Sequence, residues 1–532
     1  MKQLLFNTCA FLLFVPFSPI ILLFFVTLLI YRTIVTNAIK LFHGSHFCGF
    51  LEGLDAIWNV EKGSSRSMIN LMFFIEAPVG DEHEKVPAKF LHSVRQTVTE
   101  KLMGSSRPYP RLFWTRRQTL GYCYWTNSSR LTIEDYVRFM NPIGVDRDVK
   151  FIREEKLRVA VAAMSNQHLP DGHAACWELL IGTEPVEGTS HSSVKYPVLL
   201  RLHHTAGDGM TIVRLILDTI TGDHKALAAR ISADIPKKQT MQRSLSFIQL
   251  IKVLFNGPAF LLRMMFQKTE KNCLSGGKIT EHKVVSWCHE ADPSSEQKSI
   301  IQIVKNTKQL IPGSRFSDIF LLALANSLFK YFEAKGEPYQ DGVVSVIVPG
   351  RSGSEAKSLK IKNRFTTRRQ MLRINQGIQL DDPDRLSKLR QQLSILARGS
   401  ASTRSASSQA IISIFISFLS NLLPIALLRL LVTSFRANVV FSILPEIGKV
   451  SFQEHQMAGP TLFLPNTGNI SVCLAAVTFG NKVHLGILAD QSVIPTADEA
   501  HSILKEIISE IERMGVVLEN SPKETTVKFE FE

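Results

Sequence analysis

Apolar and polar positions change rhythm several times along the chain, and each rhythm predicts an element. Over 4–30 nearly every residue is Phe, Leu, Ile or Val. A membrane span needs roughly 20 such residues, and the short apolar region and small-residue cleavage site of a secretory signal are not evident. The stretch predicts an uncleaved anchor, kinked at Pro16 and Pro19 or turned there into a re-entrant hairpin. The runs at 68–76 and 196–204 predict strands, 150–163 is read with them as part of a strand-rich core, and 89–103 has helical spacing. Ile212, Val213, Ile216, Leu217 and Ile220 share one stripe of a helix expected over 210–220, with Gly222 as its stop.

Across 236–278 the composition shifts: Lys237, Lys238, Arg243, Lys252, Arg263, Lys268 and Lys271 surround a run of Phe, Leu, Ile and Met. That pattern reads equally as an interfacial helix lying on a membrane and as a crossover linker packed on the core. Beyond it, 316–332 reads as a buried helix, 343–348, 438–444 and 470–479 as strands, and 497–514 as an amphipathic helix. The apolar stretch 411–435, broken by Asn421 and Pro424, suits either a dip into a membrane or a buried helix under an acyl tunnel. The Ser-rich run 400–408 predicts a loop. The expected organisation is an anchor at 1–35, a first unit at 50–235, a basic and apolar crossover at 236–298, a second unit at 299–519 and a tail at 520–532.

Composition narrows the class. With 532 residues, 45% hydrophobic and 20% charged, the chain is neither disordered nor a coiled coil. Sixty-one Lys+Arg against 47 Asp+Glu leave a formal net charge of +14, which favours anionic partners. The apolar segments point to a lipid bilayer rather than nucleic acid. Lys2 before the first segment and Arg32 and Lys40 after it place the body on the cytoplasmic side. Seven cysteines with no Cys-x-x-Cys spacing suggest neither a disulfide framework nor a zinc site, and Cys288-His289 has no matching ligand pair elsewhere in the sequence. Arg364, Arg368 and Arg369 read as a solvated basic face, and 114–117 as surface and core packing.

The chemistry concentrates at Leu199-Leu200-Arg201-Leu202-His203-His204-Thr205-Ala206-Gly207-Asp208-Gly209. Neighbouring side chains on a strand point to opposite faces, so His203 and His204 cannot share one cleft. His204 lies on the face of Leu202 and Leu200. A neutral imidazole suits general-base work near neutral pH. Asp208, four residues on across a tight turn, is set to orient the ring or to structure the loop, and Gly209 permits close approach of another group.

The His-His-x-x-x-Asp-Gly pattern resembles the wax ester synthase/diacylglycerol acyltransferase (WS/DGAT) family of His-x-x-x-Asp acyltransferases. Other stretches agree in order: Leu54-Asp55-Ala56-Ile57-Trp58, Pro110-Arg111-Leu112-Phe113, Trp177-Glu178-Leu179-Leu180-Ile181, Phe316-Ser317-Asp318-Ile319 and Gly486-Ile487-Leu488-Ala489-Asp490. The sequence departs where Ser317 replaces the usual Asn, where 441–445 shortens a Ser-Asn-Val-Pro-Gly-Pro element, and where Lys362-Asn363 replaces Gly-Asn.

The resemblance implies an α/β, two-lobed chloramphenicol acetyltransferase-like fold behind a transmembrane anchor. It implies acyl transfer from acyl-CoA, a substrate rather than a cofactor, to a long-chain alcohol or diacylglycerol, giving wax ester or triacylglycerol at the endoplasmic reticulum. His204 and Asp208 would form the catalytic pair, Asp208 more as a structural member than a relay. His203, Gly209 and Ser317 would support them, Ser317 as a candidate oxyanion donor and Gly209 as a gap for the CoA arm. No metal is expected. Two other readings remain: a catalytically silent lipid-binding protein of the same fold, or an acyltransferase for a sterol or retinoid acceptor.

Overall fold

The computed structural model describes residues 2–520 except 62, 81, 105–108, 146–150, 188–192, 210, 212–214, 216–246, 267–269, 271, 276–278, 292–297, 337–341, 352–362, 364, 375–376, 378, 403–414, 435 and 453–454. The expected helix over 210–220 lies outside the described residues apart from 211 and 215, as does much of the basic crossover and the tail.

Two sheets organise the body. In the first, strand Ser193–His203 runs between Met68–Pro78 and Trp177–Ile181, antiparallel to both. In the second, the order is Phe365–Arg373, Val343–Arg351, Val439–Ile447, Val472–Phe479, Lys482–Asp490 and Lys283–His289. A third, small sheet joins Phe47–Phe50, Tyr122–Thr126 and Thr115–Thr119.

The sheets do not respect the expected boundaries. Strand Lys283–His289, inside the expected crossover, pairs with Lys482–Asp490 in the second sheet. Strand His455–Phe463, inside the expected second unit, pairs with Met68–Pro78 in the first. The two halves of the chain are thus stitched by a strand from the later half, and backbone hydrogen bonds of this kind leave no trace in local periodicity.

Most expected elements are present. Helix Phe316–Ala334 is buried almost throughout, from Ile319 to Leu328, and Ala497–Glu519 buries Ile503, Leu504, Ile507, Ile511 and Met514 along one stripe. The segment 150–163 is a correction: it forms helix Glu154–Ser165, not strand. Leu157, Val161 and Met164 are buried at helical spacing, with Glu155, Lys156 and Val159 exposed on the other side, so the 3.6-residue period prevails. The Ser-rich stretch is also partly corrected, because helix Arg385–Ser402 enters it, and the buried Ser400 hydroxyl donates to Asp318 Oδ1 at 2.8 Å.

At the N-terminus, helix Lys2–Phe14 gives way at Val15–Phe17 to helix Ser18–His43. Pro16 lies in the break and Pro19 in the first turn of the second helix, as expected of residues that kink a helix, and the second helix continues past residue 35. The helical span Leu5–His46, which includes it, is long and apolar enough to cross a membrane. The first helix packs on helix Phe247–Phe266, with the Phe11 and Phe255 rings 5.4 Å apart and Asn7 Nδ2 donating to Asn256 Oδ1 at 2.6 Å. Phe25 meets Phe418 at 5.8 Å. The apolar stretches that sequence patterning singled out separately thus collect on one side of the body.

Candidate active site

The long ladder between Met68–Pro78 and Ser193–His203 ends where Met68 faces His203. His204 is the first residue beyond the strand, and its N–H still donates to Ser67 carbonyl at 2.7 Å. The alternation expected of a strand holds across this end: the two imidazoles enter different environments.

His204 is 7% exposed and lies flat against Trp58, ring centroids 3.6 Å apart and planes 8° from parallel. Its Nδ1 is 2.9 Å from Asn363 Oδ1. The direction of that hydrogen bond follows from the other side of the amide. Asn363 Nδ2 faces two acceptors, Asp55 Oδ1 at 2.8 Å and the His204 carbonyl at 2.6 Å. The amide nitrogen must lie there, so its oxygen faces the ring, and an oxygen can only accept. His204 therefore carries its hydrogen on Nδ1 and its lone pair on Nε2. Burial, opposed by the Asn363 contact, pushes its pKa down to about 4, so the ring is a neutral base at physiological pH.

Asp55 anchors this arrangement. Its Oδ1 also takes the Asn363 N–H at 3.0 Å, and its Oδ2 takes Arg111 Nη2 at 2.7 Å. Arg111 Nη2 further donates to the Thr205 carbonyl at 2.7 Å, and the guanidinium lies 4.7 Å from the Trp125 ring centre. Three of the motifs quoted from the sequence, those holding Asp55 and Trp58, Arg111, and Asn363, thus converge on one imidazole. Their places in the sequence were visible; their roles were not.

His203 is fully buried on the other face. Thr205 N–H donates to its Nδ1 at 3.2 Å, and its Nε2 is 2.8 Å from Glu61 Oε1. Burial and the Arg116 cation push its pKa down to about 3. Glu61 resists its own burial through hydrogen bonds from His203 and His173 and the nearby Arg116, which hold its carboxyl below the usual range. Glu61, His173 and His203 bring three ligand atoms within 4.8 Å of one another, a donor set that zinc accepts. Arg116 Nη1, however, lies 2.9 Å from His203 Nε2, and a cation there opposes a metal ion. The cluster is a hydrogen-bonded support under the strand end.

The remaining expected residues fall as follows. Asp208 Oδ1 takes the N–H and hydroxyl of Thr211 at 3.0 and 3.2 Å, structuring the turn, while Asn363 holds the His204 ring. A Cβ on Gly209 would come within 3.3 Å of Leu444 from the second sheet, so glycine here permits close packing between the sheets. Ser317 is not among the groups contacting His204; its hydroxyl accepts from Arg368 Nη2 at 3.1 Å. Arg368 is 8% exposed and 3.5 Å from Asp318, and Arg369 pairs with Glu270, so neither belongs to a solvated face. The expected solvated face is corrected for these two, because nearby carboxylates draw both guanidinium groups inward; Arg364 lies outside the described residues. His289, without a ligand pair in the sequence, meets His484 at 2.8 Å between the Nδ1 atoms.

These depressed imidazoles have a common consequence. His204 and His484 at about 4 and His289 at about 3 stay neutral in the folded chain, whereas unfolding exposes groups that protonate below about pH 6.5. Unfolding then takes up protons, so stability is intact above about pH 6.5 and falls as pH drops toward about 4. For His204 alone the loss is about 3 kcal/mol. Calorimetry of the detergent-solubilised chain should show Tm falling through this window; a level Tm would contradict the burial of these neutral rings.

Residues 370–514 match the family model described as WS/DGAT C-terminal domain. The fold is similar to the wax ester synthase/diacylglycerol acyltransferase from Marinobacter aquaeolei VT8, at 15% identity and TM-score 0.53, over 87% of this chain and 98% of that one. It is also similar to trichothecene 15-O-acetyltransferase from Fusarium sporotrichioides, at 12% identity and TM-score 0.56, over 87% and 94%. The first condensation domain of the calcium-dependent antibiotic synthetase, in complex with a substrate analogue, matches at 13% identity and TM-score 0.50, over 84% and 91%. No curated protein matches the sequence. The two-lobed acyltransferase and condensation-domain fold is therefore the fold of this chain.

Proposed function

From a chain that carries the WS/DGAT C-terminal domain on a two-lobed acyltransferase fold, we propose an acyl-CoA-dependent O-acyltransferase with His204 as general base. The observation that carries this reading is the tautomer: Asn363 and Asp55 keep the His204 hydrogen on Nδ1 and leave Nε2 basic. The acceptor hydroxyl gives its proton to Nε2 as its oxygen attacks the thioester carbonyl carbon. The tetrahedral intermediate collapses with cleavage of the C–S bond, and the departing CoA sulfur recovers the proton from Nε2. No covalent enzyme intermediate is required.

The acceptor is read as a long-chain alcohol or diacylglycerol, with acyl chains reaching the site from a bilayer in which helix Ser18–His43 is anchored. The apolar length of that helix and the apolar segments gathered beside it support this reading. The test is the purified full-length chain in neutral micelles with labelled palmitoyl-CoA and, in parallel, hexadecanol, diacylglycerol, a sterol and retinol. Labelled wax ester or triacylglycerol is expected. Ester from the sterol or retinol alone would move the acceptor class, and no ester from any acceptor would count for a silent lipid-binding protein.

Asn363 provides a sharper check. Asn363→Ala removes the group that orients the base, and kcat should fall about 10- to 100-fold with KM nearly unchanged. An unchanged kcat would show that the His204 tautomer is set elsewhere.

A further inference from the structure

Helix Ser18–His43 is mostly exposed, and its inward stripe is narrow: Leu28, Val35 and Ile39 are buried. Arg32 falls on the same stripe, one turn from Leu28 and from Val35. A cation on the packed face of an apolar helix is costly unless something there receives it. Val35 and Ile39 pack on Tyr122 and Tyr124 of the small sheet. The Arg32 guanidinium lies 5.0 Å from the Phe50 ring centre and 5.8 Å from that of Tyr122. Glu52, which is exposed, acts on it only through space. Among the described residues no hydrogen-bond acceptor or carboxylate partner meets the guanidinium.

The charge instead borders a small, partly open cleft. Phe50, Tyr122, Leu423 and Leu428 line it with Arg32, and Asn421 supplies a second polar group. The Asn421 oxygen takes the Gly53 N–H at 2.6 Å, so its amide hydrogens remain, without a partner among the described residues. The cavity thus has apolar walls, a planar fork of donors with a positive charge, and an added amide donor. A phosphate fits this chemistry better than a neutral headgroup does, because a guanidinium binds it through paired charge-assisted hydrogen bonds. The position is also suited to a lipid. Arg32 follows the apolar run 4–30 directly, where a bilayer's headgroups would lie, and the cavity's other wall comes from the apolar stretch that contains Leu423 and Leu428.

We propose that Arg32 and Asn421 form a subsite for the phosphate headgroup of an anionic glycerolipid. It is separate from the His204 site: Ala56 lines the cavity, whereas its neighbour Asp55 faces Asn363 and Arg111. The placement at headgroup level rests on the anchor reading above.

The test uses the chain in neutral detergent and two water-soluble ligands with identical tails, dihexanoyl phosphatidate and dihexanoylglycerol acetylated at its free hydroxyl, so that neither offers an acceptor hydroxyl to the His204 site. Titration calorimetry should give phosphatidate the tighter binding by about tenfold or more, the range of a hydrogen-bonded charge pair. Arg32→Gln should abolish that preference, and Arg32→Lys should keep part of it. Equal binding of the two ligands by the natural chain overturns the proposal even if Arg32→Gln fails to fold. A preference that survives in a folded Arg32→Gln chain overturns it as well. Inorganic phosphate is titrated alone; affinity equal to that of phosphatidate overturns the assignment to a lipid. Because the ligands are soluble and the readout is binding, a negative result is distinct from failure of the transferase reading. A separate pelleting assay with neutral vesicles reports on the anchor.

Discussion

Replacing His204 by alanine should lower ester formation by about 10²- to 10⁴-fold, the range in which a general base contributes. Among the described residues the ring makes one side-chain hydrogen bond, to Asn363, and stacks on Trp58, so the fold should survive the change. Tm measured alongside activity separates lost chemistry from lost structure. The natural chain adds a second signature. With its pKa near 4, His204 is already deprotonated well below neutrality. In brief assays at a temperature where the chain remains folded, kcat/KM should stay level from about pH 7 to about pH 5 and fall only below that. An ordinary histidine would show the fall near pH 6.5. Activity retained in a folded His204→Ala chain would remove the base from the mechanism.

The largest effect on stability is expected at Arg111. Arg111→Met takes the cation away from Asp55, whose side chain is 4% exposed, and leaves an uncompensated buried carboxylate. Breaking one side of such a pair costs about 3–5 kcal/mol. Activity should fall too, because Asp55 orients Asn363 and Asn363 orients His204. Adding Asp55→Leu to Arg111→Met should recover much of the stability but not the activity, since the charge is gone and so is the acceptor for Asn363. Denaturant unfolding of the two single variants and the double variant measures this. A loss under about 1 kcal/mol for Arg111→Met would mean that the pair is solvated rather than buried.

How far the sequence could be read varied with the range of the interaction involved. Strand Ser193–His203 and helices Phe316–Ala334 and Ala497–Glu519 followed from periodicity, which reports the buried face of an element. Helix Glu154–Ser165 was misread because alanine and valine suit either element when the window is short. Asp55, Arg111 and Asn363 stood inside recognisable motifs, but Arg111 and Asn363 lie 56 and 308 positions from Asp55, and neither spacing carries a contact signal. Arg368 likewise resembled a surface charge until Asp318, on another element, came within 3.5 Å.

By itself the sequence determined that His203 and His204 part company, since a two-residue period sends neighbours to opposite faces. It also determined that the first thirty or so residues form an apolar helical segment broken near Pro16 and Pro19, because proline and the hydropathy run act locally. Only the tertiary structure decided which imidazole faces Asn363, which carboxylate stands behind that amide, and that Arg32 borders a cavity. Each of those depends on two distant segments being brought together by sheet registry, and on burial strengthening the polar contacts made there. Neither can be read from one segment's composition.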